Sequence, residues 1–109
     1  EDEPLVRRVM ERMLSDAGYR VTTAANGLEA LQLLDGGVRP DLVLSDVVMP
    51  RMGGLELREK LRTRDIPVVL MSGYSSEVVE LGGVDDSELL WKPPSRPAVL
   101  AALRRALAR

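Results

Sequence analysis

Apolar residues follow two rhythms along this chain. Leu5, Val6, Val9, Met10, Met13, Leu14 and Ala17 recur at three- and four-residue spacing, with Arg7, Arg8, Glu11 and Arg12 on the other face. That pattern predicts an amphipathic helix. Pro4 suits its first turn, the acids ahead of it complement the positive end of the dipole, and Gly18 ends it. Residues 19–24 form a short β-prone run, and Asn26 caps a second helix over about 27–34, broken by Gly36-Gly37. The rhythm then changes. Leu42-Val43-Leu44-Ser45-Asp46-Val47-Val48 is a short apolar run between Pro40-Asp41 and the loop 50–54, and it reads as a buried strand with Asp46 at its carboxyl end.

The alternation continues. Residues 55–64 make a third helix with Leu57 and Leu61 inward, and residues 67–73 a second buried strand ending in Ser72. Residues 75–81 read as a short helix and 82–86 as a loop. Leu89-Leu90-Trp91 is a brief third strand that stops at Lys92-Pro93-Pro94. A last helix over about 96–108 turns Val99, Leu100, Leu103 and Leu107 inward. Strands alternating with helices predict an α/β fold, a parallel sheet covered on both faces. One feature conflicts with that picture. Buried parallel strands need neighbours, yet the chain opens with acids where a preceding strand should just have ended.

Composition narrows the chemistry. A chain of 109 residues makes one domain, and 45% hydrophobic with 29% charged residues is ordinary for a globular one. A net charge of −2 argues against a nucleic-acid or membrane surface driven by bulk charge. With no Phe, one Trp and two Tyr, base-stacking platforms are not expected. There is no cysteine, hence no disulfide framework and no thiol chemistry. No apolar run approaches membrane-spanning length and no secretory segment opens the chain, so a cytoplasmic setting is expected. The absence of histidine is the most useful negative, because it removes Ser-His-Asp catalysis and imidazole metal sites together. A site here must come from carboxylates, hydroxyls, a lysine and the backbone.

Those groups gather at one place. Asp46, Ser72 and Lys92 end the three predicted strands, and ligands of open α/β sheets bind outside the carboxyl ends of strands. Glu1 and Asp2 stand just before the first helix. Each has a plain reading: a turn Asp, a strand-ending Ser, a surface Lys, a solvated terminus. Their coincidence at one end of one sheet favours a shared site. Converging acids repel unless a cation sits among them, and a hard cation with oxygen ligands, most naturally Mg²⁺, also bridges to phosphate oxygens. Lys92 and Ser72 supply a charge and a hydroxyl for a phosphoryl group placed on Asp46.

The chain resembles the receiver domain of two-component response regulators over nearly its whole length. The resemblance rests on Glu1-Asp2-Glu3-Pro4, on Asp46 followed by Met49-Pro50 and Gly53-Gly54, on Met71-Ser72-Gly73-Tyr74 and on Lys92-Pro93. The run from Val69 to Ser75 is most similar to receivers of hybrid sensor histidine kinases. The resemblance implies a flavodoxin-like (CheY-like) doubly wound sheet of strand order 2-1-3-4-5, as one domain over 1–109 lacking its first strand. It implies phosphoacceptance by Asp46 from a phosphohistidine of a histidine kinase or histidine phosphotransfer protein. Mg²⁺ would be held by Glu1, Asp2, Asp46 and the backbone carbonyl of Val48, with Ser72 and Lys92 on the phosphoryl group and a cis Lys92-Pro93 bond. A homodimer is among the partners it allows, and a membrane-associated hybrid kinase among the settings.

Three departures qualify it. The first strand, central in the family's sheet, is absent from the sequence. Leu89 stands where the family usually has a Tyr or Phe switch, leaving Trp91, on the same strand face, as a switch or packing residue. Pro94 replaces the usual aromatic, and the compact stretch 75–88 predicts a short or irregular helix. The alternative is a receiver-like interaction module that docks without phosphorylation. A Mg²⁺-dependent phosphohydrolase would want a second acid two residues past Asp46, where Val48 stands.

Overall fold

The computed structural model describes residues 1–73, 89–92 and 94–108. Within them lie α1 (Pro4–Asp16), α2 (Gly27–Asp35), β1 (Val43–Asp46), α3 (Gly54–Arg62), β2 (Val68–Ser72), β3 (Leu89–Trp91) and α4 (Arg96–Leu107). The strands form a parallel sheet in the order β1-β2-β3, with Asp46 opposite Met71 and Ser72 opposite Trp91. All three strands therefore finish at the same end. The expected short helix over 75–81, the loop 82–86 and the Lys92-Pro93 bond lie outside the described residues.

β2 explains why its sequence is apolar without interruption. Alternate side chains of a strand point to opposite faces, and every residue of β2 is buried. Val69 and Met71 enter one core with Met10 of α1, Leu90 of β3 and Val99 and Leu103 of α4. Val68 and Leu70 enter the other with Leu34 of α2 and Leu57 and Leu61 of α3. A layer of helices on each face is the doubly wound, flavodoxin-like arrangement anticipated above.

The helix ends follow local chemistry. Asn26 Oδ1 accepts from the Glu29 amide at 2.8 Å while Glu29 Oε1 accepts from the Ala25 amide at 3.3 Å, a reciprocal cap. Ser95 Oγ accepts from the Ala98 amide at the start of α4. Gly18 takes a φ of 98° just past α1, a left-handed conformation that costs glycine little. Gly54 is required for another reason: a Cβ there would collide with the carbonyl oxygen of Asp46 and lie 2.8 Å from Leu70 Cδ2.

The β-prone run at 19–24 is not a strand. It follows α1 as extended chain but pairs with none of the three described strands. The physical reason is that a ladder needs a neighbour at about 4.8 Å, and a cleft separates this run from β1.

Candidate functional site

Asp46 ends β1 and is 1% exposed. Its carboxylate faces Lys92, which directly follows β3, with Lys92 Nζ 2.5 Å from Asp46 Oδ1. The same ammonium lies 3.2 Å from Glu1 Oε1. One oxygen from each of Glu1, Asp2 and Asp46 lies within 4.8 Å of the others. Buried Asp46 Oδ2 has no hydrogen-bond donor among the described residues. A buried carboxylate oxygen without a donor, beside two further carboxylates, suits a hard divalent cation with oxygen ligands such as Mg²⁺.

The electrostatics agree. Burial, followed by the adjacent Glu1 carboxylate, pushes the Asp46 carboxyl up from its ordinary 3.8 to about 6, with Lys92 pulling the other way. Burial also acts on Glu1. It is outweighed by Asp46, the Glu3 amide and Lys92, so Glu1 falls from 4.5 to about 2. Lys92 is raised despite burial, because its bond to Asp46 and the charges of Asp46 and Glu1 favour the ammonium. The pair of acids thus behaves as one unit in which Asp46 holds the more basic position. At neutral pH it is ionised.

Ser72, at the end of β2, is fully buried, and its carbonyl accepts from the Lys92 amide at 2.9 Å. The backbone thus links two of the strand-end residues directly. Val48 follows in the loop after β1 and is 61% exposed. Leu89 is half-buried against the core beneath α2 and α3, whereas Trp91 is 54% exposed. The structure therefore brings Glu1, Asp2, Asp46 and Lys92 into one cluster, sets Ser72 at the same sheet edge and leaves Trp91 outside on β3.

Two supports were not anticipated from the sequence. Arg7 Nη1 donates to the carbonyl of Glu1 at 2.9 Å, and the Glu1 amino group donates to the carbonyl of Ala24 at 3.2 Å. Together they pin the first residue beside Asp46. No spacing rule signals either bond, since each depends on how α1 and the run 21–24 meet. The double glycine at 53–54 did carry a readable signal, as a Cβ on Gly53 would lie 2.6 Å from the Val47 carbonyl oxygen. The loop can close against the end of β1 only without side chains there.

A doubly wound parallel sheet whose strand ends collect three carboxylates and a lysine defines a CheY-like receiver architecture. The sequence model for the response regulator receiver domain matches residues 1–104, and the chain belongs to that family. It is 37% identical to the response regulator MprA of Mycobacterium sp. (strain KMS), over 100% of this chain and 49% of that protein. The chain spans about half the length of the curated relatives it matches. Among solved structures, it is similar to the signal receiver domain of a signal transduction histidine kinase from Syntrophus aciditrophicus, at 33% identity and a TM-score of 0.86, covering 99% of this chain and 86% of that one. The chemotaxis protein CheY4 of Vibrio cholerae is similar at 30% identity and a TM-score of 0.80, over 97% and 92% of the two chains. The protein is a phosphoacceptor receiver domain of two-component signalling. Receivers of this family generally bind Mg²⁺ in the acidic pocket and meet histidine kinases or phosphotransfer proteins. Among the described residues, no helix is long and apolar enough to cross a membrane.

Proposed function

We propose that Asp46 is the phosphoacceptor, and that the observation carrying this is its position: a buried carboxylate at a strand end, touched by Lys92 and flanked by Glu1 and Asp2. One Asp46 oxygen attacks the phosphorus of a partner's phosphohistidine. The P–N bond breaks, a P–O bond forms, and the imidazole nitrogen keeps the electron pair and takes a proton. Lys92 pairs with a phosphoryl oxygen as charge accumulates, and the Ser72 hydroxyl offers a further donor. Glu1, Asp2, Asp46 and the Val48 carbonyl hold Mg²⁺, which when bound offsets carboxylate and phosphoryl charge. The donor of the phosphoryl group is a histidine kinase or histidine phosphotransfer protein, in the cytoplasm or on the cytoplasmic side of a hybrid kinase. Exposed Trp91, one residue before Lys92, carries the change of state to a partner or a second copy, with Leu89 adjusting beneath it. No aromatic at position 89 is available for that task.

Intact mass after incubation with acetyl phosphate and Mg²⁺ tests the assignment. One added phosphoryl group is expected on the parent and none on Asp46→Asn or in chelator. Equal addition to the parent and Asp46→Asn would sink it.

A further inference from the structure

The loop between β1 and α3 carries Val48, and its backbone is anchored at few points. The Val47 amide donates to the Met71 carbonyl at 2.9 Å, and the Val47 carbonyl accepts from the Gly54 amide at 2.9 Å. Residues 48–52 project beyond that closure. Within them the Pro50 carbonyl accepts from the Met52 amide at 2.8 Å, and Arg51 takes a φ of 71°. A three-residue turn with positive φ is strained and persists where its surroundings hold it. Among the described residues, one backbone bond ties 48–52 to another element. The Met52 carbonyl accepts from the Gly27 amide at 3.0 Å.

Gly27 is the first residue of α2, where an amide has no acceptor inside the helix. Glycine is a poor helix former, and Gly27 does not have a left-handed φ that would call for it. Space does call for it. A Cβ on Gly27 would lie 2.8 Å from Met52 Cγ and 2.9 Å from the Met52 carbonyl oxygen. The missing side chain lets the loop approach closely enough to bond. The helix end it meets is firm, since Asn26 and Glu29 cap that turn reciprocally and Leu34 roots α2 in the core. Met52 packs against the same core.

We propose that Gly27 is a positioning residue for phosphoryl transfer: α2 holds Met52, and Met52 holds the turn at 48–51 so that the Val48 carbonyl is presented to the acidic cluster. The inference rests on the roles given to Asp46 and Val48 above. Val47 and Met52 then bracket the one backbone ligand. A ligand fixed on both flanks needs less ordering when the cation binds.

Titration calorimetry with Mg²⁺ and phosphorylation by acetyl phosphate test this on Gly27→Ala, with Gly36→Ala as the control just past the other end of α2. A Cβ at position 36 meets nothing nearer than 3.4 Å. Gly27→Ala should weaken Mg²⁺ binding by about tenfold, and saturating Mg²⁺ should bring its phosphorylation rate back toward the parent's. Gly36→Ala should match the parent in both. Met52→Ala disturbs the same contact from the loop side without adding an atom, and should weaken Mg²⁺ binding in the same direction. Combined, the two changes should cost less than their sum. Parent-like Mg²⁺ affinity in Gly27→Ala, with any loss confined to its melting temperature in chelator, overturns the proposal, and so does strict additivity. Where Gly27→Ala does not fold, Met52→Ala decides: weaker binding supports the proposal and parent affinity overturns it. Failure of the Asp46 assignment is seen separately, as phosphorylation that survives Asp46→Asn.

Discussion

Asp46 and Lys92 show how two side chains, neither unusual alone, acquire a function from burial. A carboxylate out of water resists ionising, which is why Asp46 rises to about 6. An acid with a raised native pKa contributes stability that is full below its ordinary 3.8 and lost as pH climbs through about 6. Glu1 contributes in the opposite sense, fully above 4.5 and lost as pH falls through about 2. Between pH 5 and 7 in chelator, the melting temperature should therefore fall, and Mg²⁺ should cancel that fall. A flat profile in chelator by calorimetry would remove burial as the cause of the raised value. Below pH 6 the proton competes with the cation, so apparent Mg²⁺ affinity should drop by roughly tenfold per pH unit, readable by titration calorimetry. Lys92→Met removes the charge that offsets both acids. Phosphorylation by acetyl phosphate should slow by about 10²-fold, in a protein that still melts cooperatively. The candidate residues themselves were legible in the sequence, because Asp, Ser and Lys each follow an apolar run and therefore sit at strand ends. Their distances were not, since nothing in a linear spacing brings Lys92 to both Asp46 and Glu1.

Among the elements, β2 and the loop before α3 carry the architecture. β2 was readable because a strand buried on both faces has no polar alternation to blur it, and Val68 to Ser72 are buried at every position. α2 was readable from Asn26, whose side chain caps it as its residue type suggests. The glycine pair before α3 is the element most sensitive to change. Gly54→Ala pushes a methyl group into the Asp46 carbonyl and the Leu70 side chain. It should cost about 1–3 kcal/mol in denaturant unfolding and lower Mg²⁺ affinity as well, because the displaced carbonyl is the backbone of Asp46, whose carboxylate is the proposed ligand. Gly18→Ala meets no atom, but must hold a φ of 98°, so its cost should fall on stability alone. The run at 19–24 was misjudged by propensity for a specific reason. β-propensity measures fit to a sheet, and the cleft keeps this run out of pairing distance of β1.

At the scale of the molecule, the acidic site and the cleft share one boundary, residue Glu1. Its carboxylate belongs to the site and its nitrogen to the cleft, so order in one region bears on the other. A ligand that binds only the folded form stabilises it by mass action, and Mg²⁺ at a hundredfold over its dissociation constant should add about 2.7 kcal/mol. Asp46→Asn, with one carboxylate fewer, should gain markedly less in the same unfolding experiment.

What the sequence determined by itself was the class of fold, the order of helices and strands, and the residue types at the strand ends. Apolar periodicity and punctuation by Gly, Pro and Asn are local properties, and they are written in adjacent residues. What only the tertiary structure decided was the convergence of Glu1, Asp2, Asp46 and Lys92, the raised carboxyl of Asp46, the exposure of Trp91 and the cleft beside β1. Each of these depends on residues far apart in the chain meeting in space. Burial and electrostatics are set by that meeting, not by the neighbours along the backbone.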